Sequence, residues 1–498
     1  MAIPWFLVAA FAMPAAGRQQ LVASRRQGTG SWSKVAASAG AGAAGAQTDA
    51  SRPTVEAASA PLAPVVIVPG YHSNQLEARL DKPGTVNSRC RRKAGWFRLW
   101  LNTKDLFTTR CYSEYIKLAY DEKRDVLCNN AGVETRVPDF GGTGALDLDP
   151  GVPLGALDSY LKLVSKLVDV GLKRNVTLRG APADFRFAPS SPQGAQYINK
   201  LKGLIEETAQ ATGKRVSLIS HSLGGLQTLY LLSKQTQEWK DQFIEKWISL
   251  SGSWGGVAWT WRLFASGESL GLPVDPLLLR EEQRSYETSF WMLPVPRWFG
   301  DQVILSTPKR NYTTQDYDAF FNDIGYSAGK KLLRRVEALT GAAEAPGVNV
   351  VCMYSLGLDT PASFTYGKDG FDMQPITKNS DGDGMVTASS LGLCDRWETA
   401  QLSSHSAKVI RFSKVSHARM LEDDNVLKAV MNELGLPFSS AIGSPLQPFR
   451  PMPTNYSDAV LGFDGGLTPL RAGEGHNSGL RAEVEPTGVA MSLGDSAA

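Results

Sequence analysis

The sequence predicts an α/β fold in which a mostly parallel sheet is covered by helices on both faces. Two observations carry this prediction. Short runs of β-branched and aliphatic residues alternate with longer segments of helical period, as in strands joined by crossover helices. The clearest strand is followed at once by a tight turn and a helix that is apolar nearly all round, which predicts a buried strand, turn and helix.

The predicted domain spans residues 61–435, and the segments on either side differ in composition. Residues 1–60 are rich in Ala, Gly and Ser without a sustained period, so we interpret them as targeting sequence and linker. Their apolar stretch 3–16 resembles the core of a secretory signal, although no Lys or Arg precedes it, and transit peptides have a related bias. Residues 436–498 are rich in Pro, Gly and Ser, which predicts a disordered tail.

The elements inside this domain follow in order from their patterns. A β-branched run at residues 65–68, closed by Pro69 and Gly70, predicts a buried strand that ends at a functional turn. Apolar residues at helical spacing predict helices, and further short apolar runs predict strands. The helices are expected at 154–170, 196–208 and 223–232. The further strands are expected at 216–219, 247–250, 348–354 and 409–412.

Composition argues against several classes of function. Lys and Arg outnumber Asp and Glu by only 52 − 49 = 3, so no bulk positive field would hold a nucleic acid. No apolar run reaches the roughly 18 residues that a membrane-spanning helix needs. No complete dinucleotide or P-loop pattern occurs, so no cofactor is expected. The oligomeric state is left open.

One motif at the strand-to-helix turn carries chemistry. Ser220-His221-Ser222-Leu223-Gly224 is a variant of G-x-S-x-G in which serine replaces the first glycine. A serine on so sharp a turn holds its oxygen clear of the sheet, and small neighbours let the backbone bend. The helix that follows directs NH groups and a positive dipole end at any oxyanion formed there. The motif therefore predicts that Ser222 is a nucleophile.

A serine nucleophile needs a general base, and the hydrolase order is Ser, then Asp or Glu, then His. Three histidines follow Ser222, namely His405, His417 and His476. His476 lies in the predicted tail and His405 in a polar, Ser-rich loop, where a solvated surface role is expected. His417 follows the predicted strand 409–412, and this architecture places its base in a loop at the carboxyl end of a late strand.

The orienting acid is expected in the segment 381–386. Asp383 has a glycine on each side, which permits a tight loop, while Asp381 is the alternative and a plain Asp-Gly turn would explain either. A calcium loop would need an oxygen ligand at Met385 and a glutamate at Gly392, so no metal is expected.

The cysteines and glycosylation sequons bear on the compartment. Two bridges and one thiol could be drawn from the five cysteines in 5 × 3 = 15 ways, and five buried thiols are the alternative. Sequons at Asn175, Asn311 and Asn455 favour the secretory route.

Together these residues resemble the lecithin:cholesterol acyltransferase family, which includes the lysosomal phospholipase A enzymes and plant relatives. The resemblance runs from about residue 64 to about residue 435. Beside the serine motif it rests on Val68-Pro69-Gly70 with 74–77, Arg136-Val137-Pro138, 180–186, Trp254-Gly255-Gly256, 281–284 and 381–386. The sequence departs from the family at Tyr71, where relatives often carry Asp, Cys or Asn, and at Phe185 and Met385, which replace Trp and Thr. These departures put the shape of the pocket in doubt.

The resemblance implies an α/β-hydrolase fold and a set of site residues. It makes Ser222, Asp383 and His417 the catalytic triad, and the backbone NH groups of Tyr71 and Leu223 the oxyanion hole. It also implies two disulfides, with Cys128 left free. Their partners are Cys90 with Cys111, and Cys352 with Cys394.

Two insertions are implied as well. Residues 85–130 are similar to a membrane-binding insertion in which Trp96, Phe97 and Trp100 would contact lipid, although core packing is the alternative for aromatic residues. Residues 265–294 are similar to a mobile lid. Asp184 and Arg186 would form a buried ion pair or contact substrate, and we expect the ion pair.

The activity implied is acyl transfer from a phosphatidylcholine-like glycerophospholipid to a lipid alcohol or to water, through an acyl-serine at a membrane or lipoprotein-like surface. Phospholipid:diacylglycerol acyltransferase, neutral-lipid lipase and a silent lipid-binding protein are the alternatives. The expected place is the secretory lumen, peripheral on membranes, with a plastid as the alternative.

Overall fold

The computed structural model describes residues 62–102, 108–148, 160–272, 274–339 and 344–439. Its strands are β1 Val65–Val68, β2 Leu76–Asp81, β3 Lys93–Trp100, β4 Leu118–Asp121, β5 Val126–Asn129, β6 Val133–Arg136, β7 Leu178–Gly180, β8 Val216–His221, β9 Ile244–Leu250, β10 Leu305–Ser306, β11 Asn311–Tyr312, β12 Val350–Leu356, β13 Leu358–Thr365, β14 Ile376–Gly382 and β15 Ala407–Ser413. Its α-helices are α1 Thr109–Ile116, α2 Leu161–Asp169, α3 Pro192–Thr212, α4 Leu223–Ser233, α5 Gln237–Phe243, α6 Thr260–Ser266, α7 Pro276–Gln283, α8 Glu287–Trp291, α9 Pro296–Phe299, α10 Tyr317–Asp323, α11 Gly329–Glu337, α12 Ala388–Leu391, α13 Trp397–Ala400 and α14 Asp424–Glu433.

A six-stranded parallel sheet forms the centre, in the order β15, β12, β9, β8, β1, β7. The four inner strands are largely buried on both faces: in β1, Val66 and Val68 face one core while Val65 and Ile67 face the other. Helix α4 lies against the first core, and α2 and α14 lie against the second. The predicted α/β fold with helices on both faces is confirmed.

The predicted strands and helices agree with the structure to within a few residues wherever the chain is described. The helix predicted at 154–170 is observed as α2, and residues 149–159 lie outside the described part of the chain. Residues 1–60 and most of the predicted tail also lie outside it. At the start of that tail, Leu436 is buried and Phe438 packs against the core, so the packed chain extends beyond the predicted boundary.

The insertion at residues 85–130 is built on a three-stranded antiparallel sheet in the order β3, β2, β6, beside the hairpin of β4 and β5. A disulfide joins Cys90 to Cys111 within it. Trp96 and Phe97 are half-buried, whereas Trp100 is only 2% exposed and its indole NH donates to the His72 carbonyl at 2.8 Å. The prediction that Trp100 contacts lipid is therefore wrong, because its ring and its polar atom are both occupied inside the protein.

The segment predicted as a lid, residues 265–294, divides into two parts. Residues 268–281 reach the surface over most of their length, whereas residues 282–294 are buried throughout and carry α8. Moving the second part would expose a large apolar surface to water, which is costly. The lid at residues 265–294 stays a prediction, and residues 268–281 are the part that could move at the smaller cost.

Candidate active site

Ser222 stands at the turn where β8 ends and α4 begins. Its backbone adopts φ 53° and ψ −125°, a strained conformation for a residue with a side chain. Its NH donates to the Leu250 carbonyl at 3.0 Å, and its carbonyl accepts from the Gly225 NH at 2.9 Å. The turn is thus fixed by the neighbouring strand and by the helix, and this geometry is that of a nucleophile elbow.

Two glycines permit this turn. A Cβ on Gly224 would lie 2.3 Å from the Val68 carbonyl oxygen, so a larger residue there would push α4 away from β1. A Cβ on Gly70 would lie 3.0 Å from the Cβ of Ser222. The turn that follows β1 is therefore packed directly against the serine.

His417 and Asp383 meet in the same region. The Nδ1 atom of His417 lies 2.7 Å from Oδ2 of Asp383, and the His417 NH donates to the Asp383 carbonyl at 2.8 Å. Because Nδ1 is held by the carboxylate, Nε2 is the nitrogen placed to accept a proton. Ser222 and His417 line one cavity, so the structure brings the predicted serine, histidine and aspartate together.

The surroundings of Asp383 keep its carboxylate ionised. Burial disfavours the charge, but the adjacent His417 and the NH groups of Val386 and Met385 outweigh burial and hold the pKa of Asp383 below its usual value. Those two NH groups donate to Oδ1 at 2.8 and 3.0 Å. A buried anion so placed can orient an imidazole and stabilise its protonated form.

The alternative acid and bases lie elsewhere. Asp381 is exposed and accepts the Gly357 NH at 2.6 Å. His405 is bonded to Asp241, with 3.0 Å between Nε2 and Oδ1, and to Ser404. His476 lies outside the described residues.

The two backbone NH groups proposed for the oxyanion hole flank Ser222. Leu223 is the first residue of α4, so its NH has no acceptor within the helix. Tyr71 follows Gly70 in the turn that packs against Ser222, and its NH makes no hydrogen bond within the described parts of the chain. The assignment of these two NH groups to the oxyanion hole stays a prediction.

The cavity beside Ser222 is lined mostly by apolar and aromatic side chains that the sequence did not single out. They are His72, Val257, Trp259, Leu270, Met292 and Val386, together with Tyr71 and Met385. These residues come from five separate parts of the chain, so no local pattern predicts that they meet. Such a lining suits an acyl chain rather than a charged substrate.

Two further histidines lie at the site. His72 is buried, has φ 56°, and its ring lies 4.2 Å from that of Phe185. His221 is buried, and its Nε2 lies 3.0 Å from the His417 carbonyl oxygen. Only histidines after Ser222 fit the chain order of a general base, so the sequence did not predict that His221 lies at the site, although its place beside Ser222 in the serine motif indicates this.

The remaining predicted pairs are also present. Cys352 and Cys394 form a disulfide, and Cys128 is a half-buried free thiol. Arg186 is fully buried, and its guanidinium lies 2.6 Å from an Asp184 carboxylate oxygen. The same guanidinium donates to the carbonyl of Ile116 and to Asn129, which indicates a structural role for the pair.

The lecithin:cholesterol acyltransferase family matches this chain over residues 96–337 and 330–425. The lecithin-cholesterol acyltransferase-like 1 protein of Arabidopsis thaliana is 40% identical over 75% of this chain and 90% of its own length. The phosphatidylcholine-sterol acyltransferase of Mus musculus is 39% identical over 74% of this chain and 84% of its own. The lysosomal phospholipase A and acyltransferase of Homo sapiens is 39% identical over 73% of this chain and 88% of its own. The chain therefore belongs to the lecithin:cholesterol acyltransferase family.

Proposed function

We propose that this enzyme transfers an acyl group from a phosphatidylcholine-like glycerophospholipid to a lipid alcohol or to water. The observation that carries the proposal is the 2.7 Å contact between His417 Nδ1 and Asp383 Oδ2 beside the strained Ser222 turn. The names of the relatives, phosphatidylcholine-sterol acyltransferase and phospholipase A, supply the class of acyl donor and acceptor.

The first half of the reaction forms an acyl-serine. Ser222 Oγ attacks the ester carbonyl carbon while His417 Nε2 takes the hydroxyl proton. The negative charge moves to the carbonyl oxygen, where the NH groups of Tyr71 and Leu223 stabilise it. When the carbon–oxygen bond to the glycerol breaks, His417 returns the proton to the leaving alkoxide, and a lysophospholipid departs.

The second half releases the acyl group to an acceptor. A hydroxyl group attacks the acyl-serine carbonyl, His417 takes its proton, and collapse of the intermediate returns that proton to Ser222 Oγ. A lipid alcohol as acceptor gives a new ester, and water gives a free fatty acid. Transferase and phospholipase activity differ only in the group that reaches this step.

We further propose that the enzyme works in the secretory or lysosomal lumen and docks on a phospholipid surface. The two disulfides support an oxidising compartment. No described helix is long and apolar enough to cross a membrane. The half-buried Trp96 and Phe97 of the insertion are the side chains that we assign to lipid contact.

The test incubates the purified protein with phosphatidylcholine vesicles that contain cholesterol and diacylglycerol, beside a Ser222→Ala variant, and identifies the lipids formed. Sterol ester or triacylglycerol that depends on Ser222 would support acyl transfer and name the acceptor. Fatty acid and lysophospholipid alone would restrict the function to phospholipase A. Equal turnover by the Ser222→Ala variant would overturn the proposal.

A further inference from the structure

Two hydroxyl groups that the proposed mechanism does not use meet behind the catalytic cavity. The phenol oxygen of Tyr71 lies 3.2 Å from Oγ of Ser289, within hydrogen-bond distance. Tyr71 lines the cavity with Ser222, whereas Ser289 is fully buried in α8. The contact joins residues 218 positions apart, so it ties the turn after β1 to a distant helix.

The backbone around Tyr71 is held by hydrogen bonds on both sides. The Gly70 NH donates to the Tyr160 hydroxyl at 3.1 Å, and Ser73 Oγ donates to the Tyr71 carbonyl at 3.0 Å. The NH of Tyr71 lies between these two hydrogen-bonded groups along the backbone. Its direction is set by the peptide plane that joins Gly70 and Tyr71. The orientation of this plane decides how well the NH meets an oxyanion.

The side chain of Tyr71 is held mainly by ring contacts, which restrain it loosely. Its ring centroid lies 4.1 Å from that of His72 and 6.4 Å from those of Trp259 and Tyr286. The contact with Ser289 is the directional one, because hydrogen bonds weaken steeply with angle. Burial raises the pKa of Tyr71 well above its usual value, and the nearby Glu282 adds to this effect, so the phenol stays neutral.

We propose that Ser289 is a positioning residue for the oxyanion hole, acting through the side chain of Tyr71. The inference rests on the proposed function, since it assigns a role to the NH of Tyr71. By tying the phenol to α8, Ser289 restrains the Cα of Tyr71 and so limits the movement of the peptide that presents the NH to the developing charge. The relevant gain is made in the transition state, where the carbonyl oxygen carries the charge.

The test measures kcat and KM for phosphatidylcholine cleavage in Ser289→Ala, Tyr71→Phe and the double variant. Loss of an entire oxyanion donor costs roughly 100- to 1,000-fold in kcat, so a donor that is only loosened should cost on the order of 10-fold. KM should change less than kcat. Because both single variants remove the same hydrogen bond, the double variant should be no slower than the slower single one.

A second measurement, the affinity for an alkyl boronic acid, reports on the oxyanion hole separately from turnover. An alkyl boronic acid adds to Ser222 Oγ through a new oxygen–boron bond, the serine proton passes to His417, and a boron hydroxyl occupies the oxyanion hole. Its affinity should fall in Ser289→Ala by about the same factor as kcat/KM. Ser289→Thr, which keeps the hydroxyl, should recover most of the loss.

Tyr366→Phe is the matched control. Its phenol also pairs with a buried serine hydroxyl, at 2.8 Å from Ser266 Oγ, and it does not line the cavity. This variant should change thermal stability without changing kcat or boronic acid affinity. Wild-type kcat in Ser289→Ala, or an equal loss in Tyr366→Phe, would overturn the positioning role. Failure of the proposed function would instead appear as equal turnover by the parent protein and the Ser222→Ala variant.

Discussion

The catalytic turn region and the insertion at residues 85–130 use polar and aromatic residues in opposite ways. At the catalytic turns, Ser222, His417 and Asp383 are 7%, 4% and 0% exposed, and backbone NH groups and strand ends hold them in place. In the insertion, aromatic rings lie partly at the surface and are held by charged side chains. In the first region the reactive side chains are buried and held in fixed positions. In the second region the aromatic rings are partly exposed and can contact a partner.

The contacts of Trp96 and Phe97 illustrate the second case. The guanidinium groups of Arg136 and Arg79 lie 4.3 and 5.4 Å from the Trp96 ring, and that of Arg91 lies 4.0 Å from the Phe97 ring. Each such contact contributes roughly 0.5–1 kcal/mol at an exposed site, so the rings can leave it at small cost. A lipid surface could replace these contacts, whereas nothing could replace the carboxylate beside His417 without loss of the chemistry.

Replacing His417 should give the largest effect. His417→Ala removes the group that we propose as the acceptor of the serine proton, and loss of a triad histidine lowers kcat by as much as about 10⁶-fold. The variant should remain folded, because the site is packed by Met420 and Leu421 on the same segment. Turnover of phosphatidylcholine and the thermal midpoint should be measured together.

His405→Ala is the comparison for that experiment. His405 is bonded to Asp241 and Ser404 on a different part of the protein, so its removal should leave kcat close to that of the parent. If His417→Ala retained activity while His405→Ala lost it, the assignment of the base would be reversed.

Sequence reasoning was strongest where local chemistry and chain order limit the choice. Ser222 could be predicted because the turn, its small neighbours and the strand and helix beside it all lie within a short stretch. His417 was favoured by the order of the triad and by the small number of histidines, whereas Asp381 stayed open as the acid until the family resemblance pointed to Asp383. The cavity lining could not be predicted, because Trp259 and Met292 reach it from segments whose packing is a tertiary property.

Trp100 shows a different limit. Strand β3 pairs with β2 through two register irregularities, between Leu76 and Glu77 and between Ala78 and Leu80. Each bulge changes which face of the sheet the following side chains occupy, so alternation along 93–100 does not separate buried from exposed rings. The aromatic residues of the insertion indicated a possible lipid contact. The alternation of residues along β3 did not predict which of the rings is exposed.

Substituting the two tryptophans should separate the two roles in the insertion. Trp100→Ala leaves a cavity and removes the indole NH that donates to the His72 carbonyl, and we expect a loss of about 3–5 kcal/mol in the free energy of unfolding. Trp96→Ala should cost about 1–2 kcal/mol, since two cation–π contacts of roughly 0.5–1 kcal/mol each are lost. Chemical denaturation measures both values.

Vesicle binding completes the comparison. Co-sedimentation with phosphatidylcholine vesicles should weaken in Trp96→Ala but remain unchanged in Trp100→Phe, which keeps a buried ring in place and therefore the fold. Equal vesicle binding by the parent and Trp96→Ala would remove Trp96 from the proposed lipid contact.

The smallest effect concerns the ionisation of Asp383. Its pKa in the folded protein lies below the unfolded value near 3.8, so the carboxylate contributes stability above that value and loses it as pH falls through the folded pKa. Asp383→Asn keeps an oxygen for the NH groups of Met385 and Val386 but cannot titrate. The difference in thermal midpoint between the parent and this variant should therefore shift against the parent as pH falls below about 4. A shift in favour of the parent below about pH 4 would mean that burial outweighs His417 and raises the pKa of Asp383, which would contradict the role of this aspartate as the ionised partner of His417.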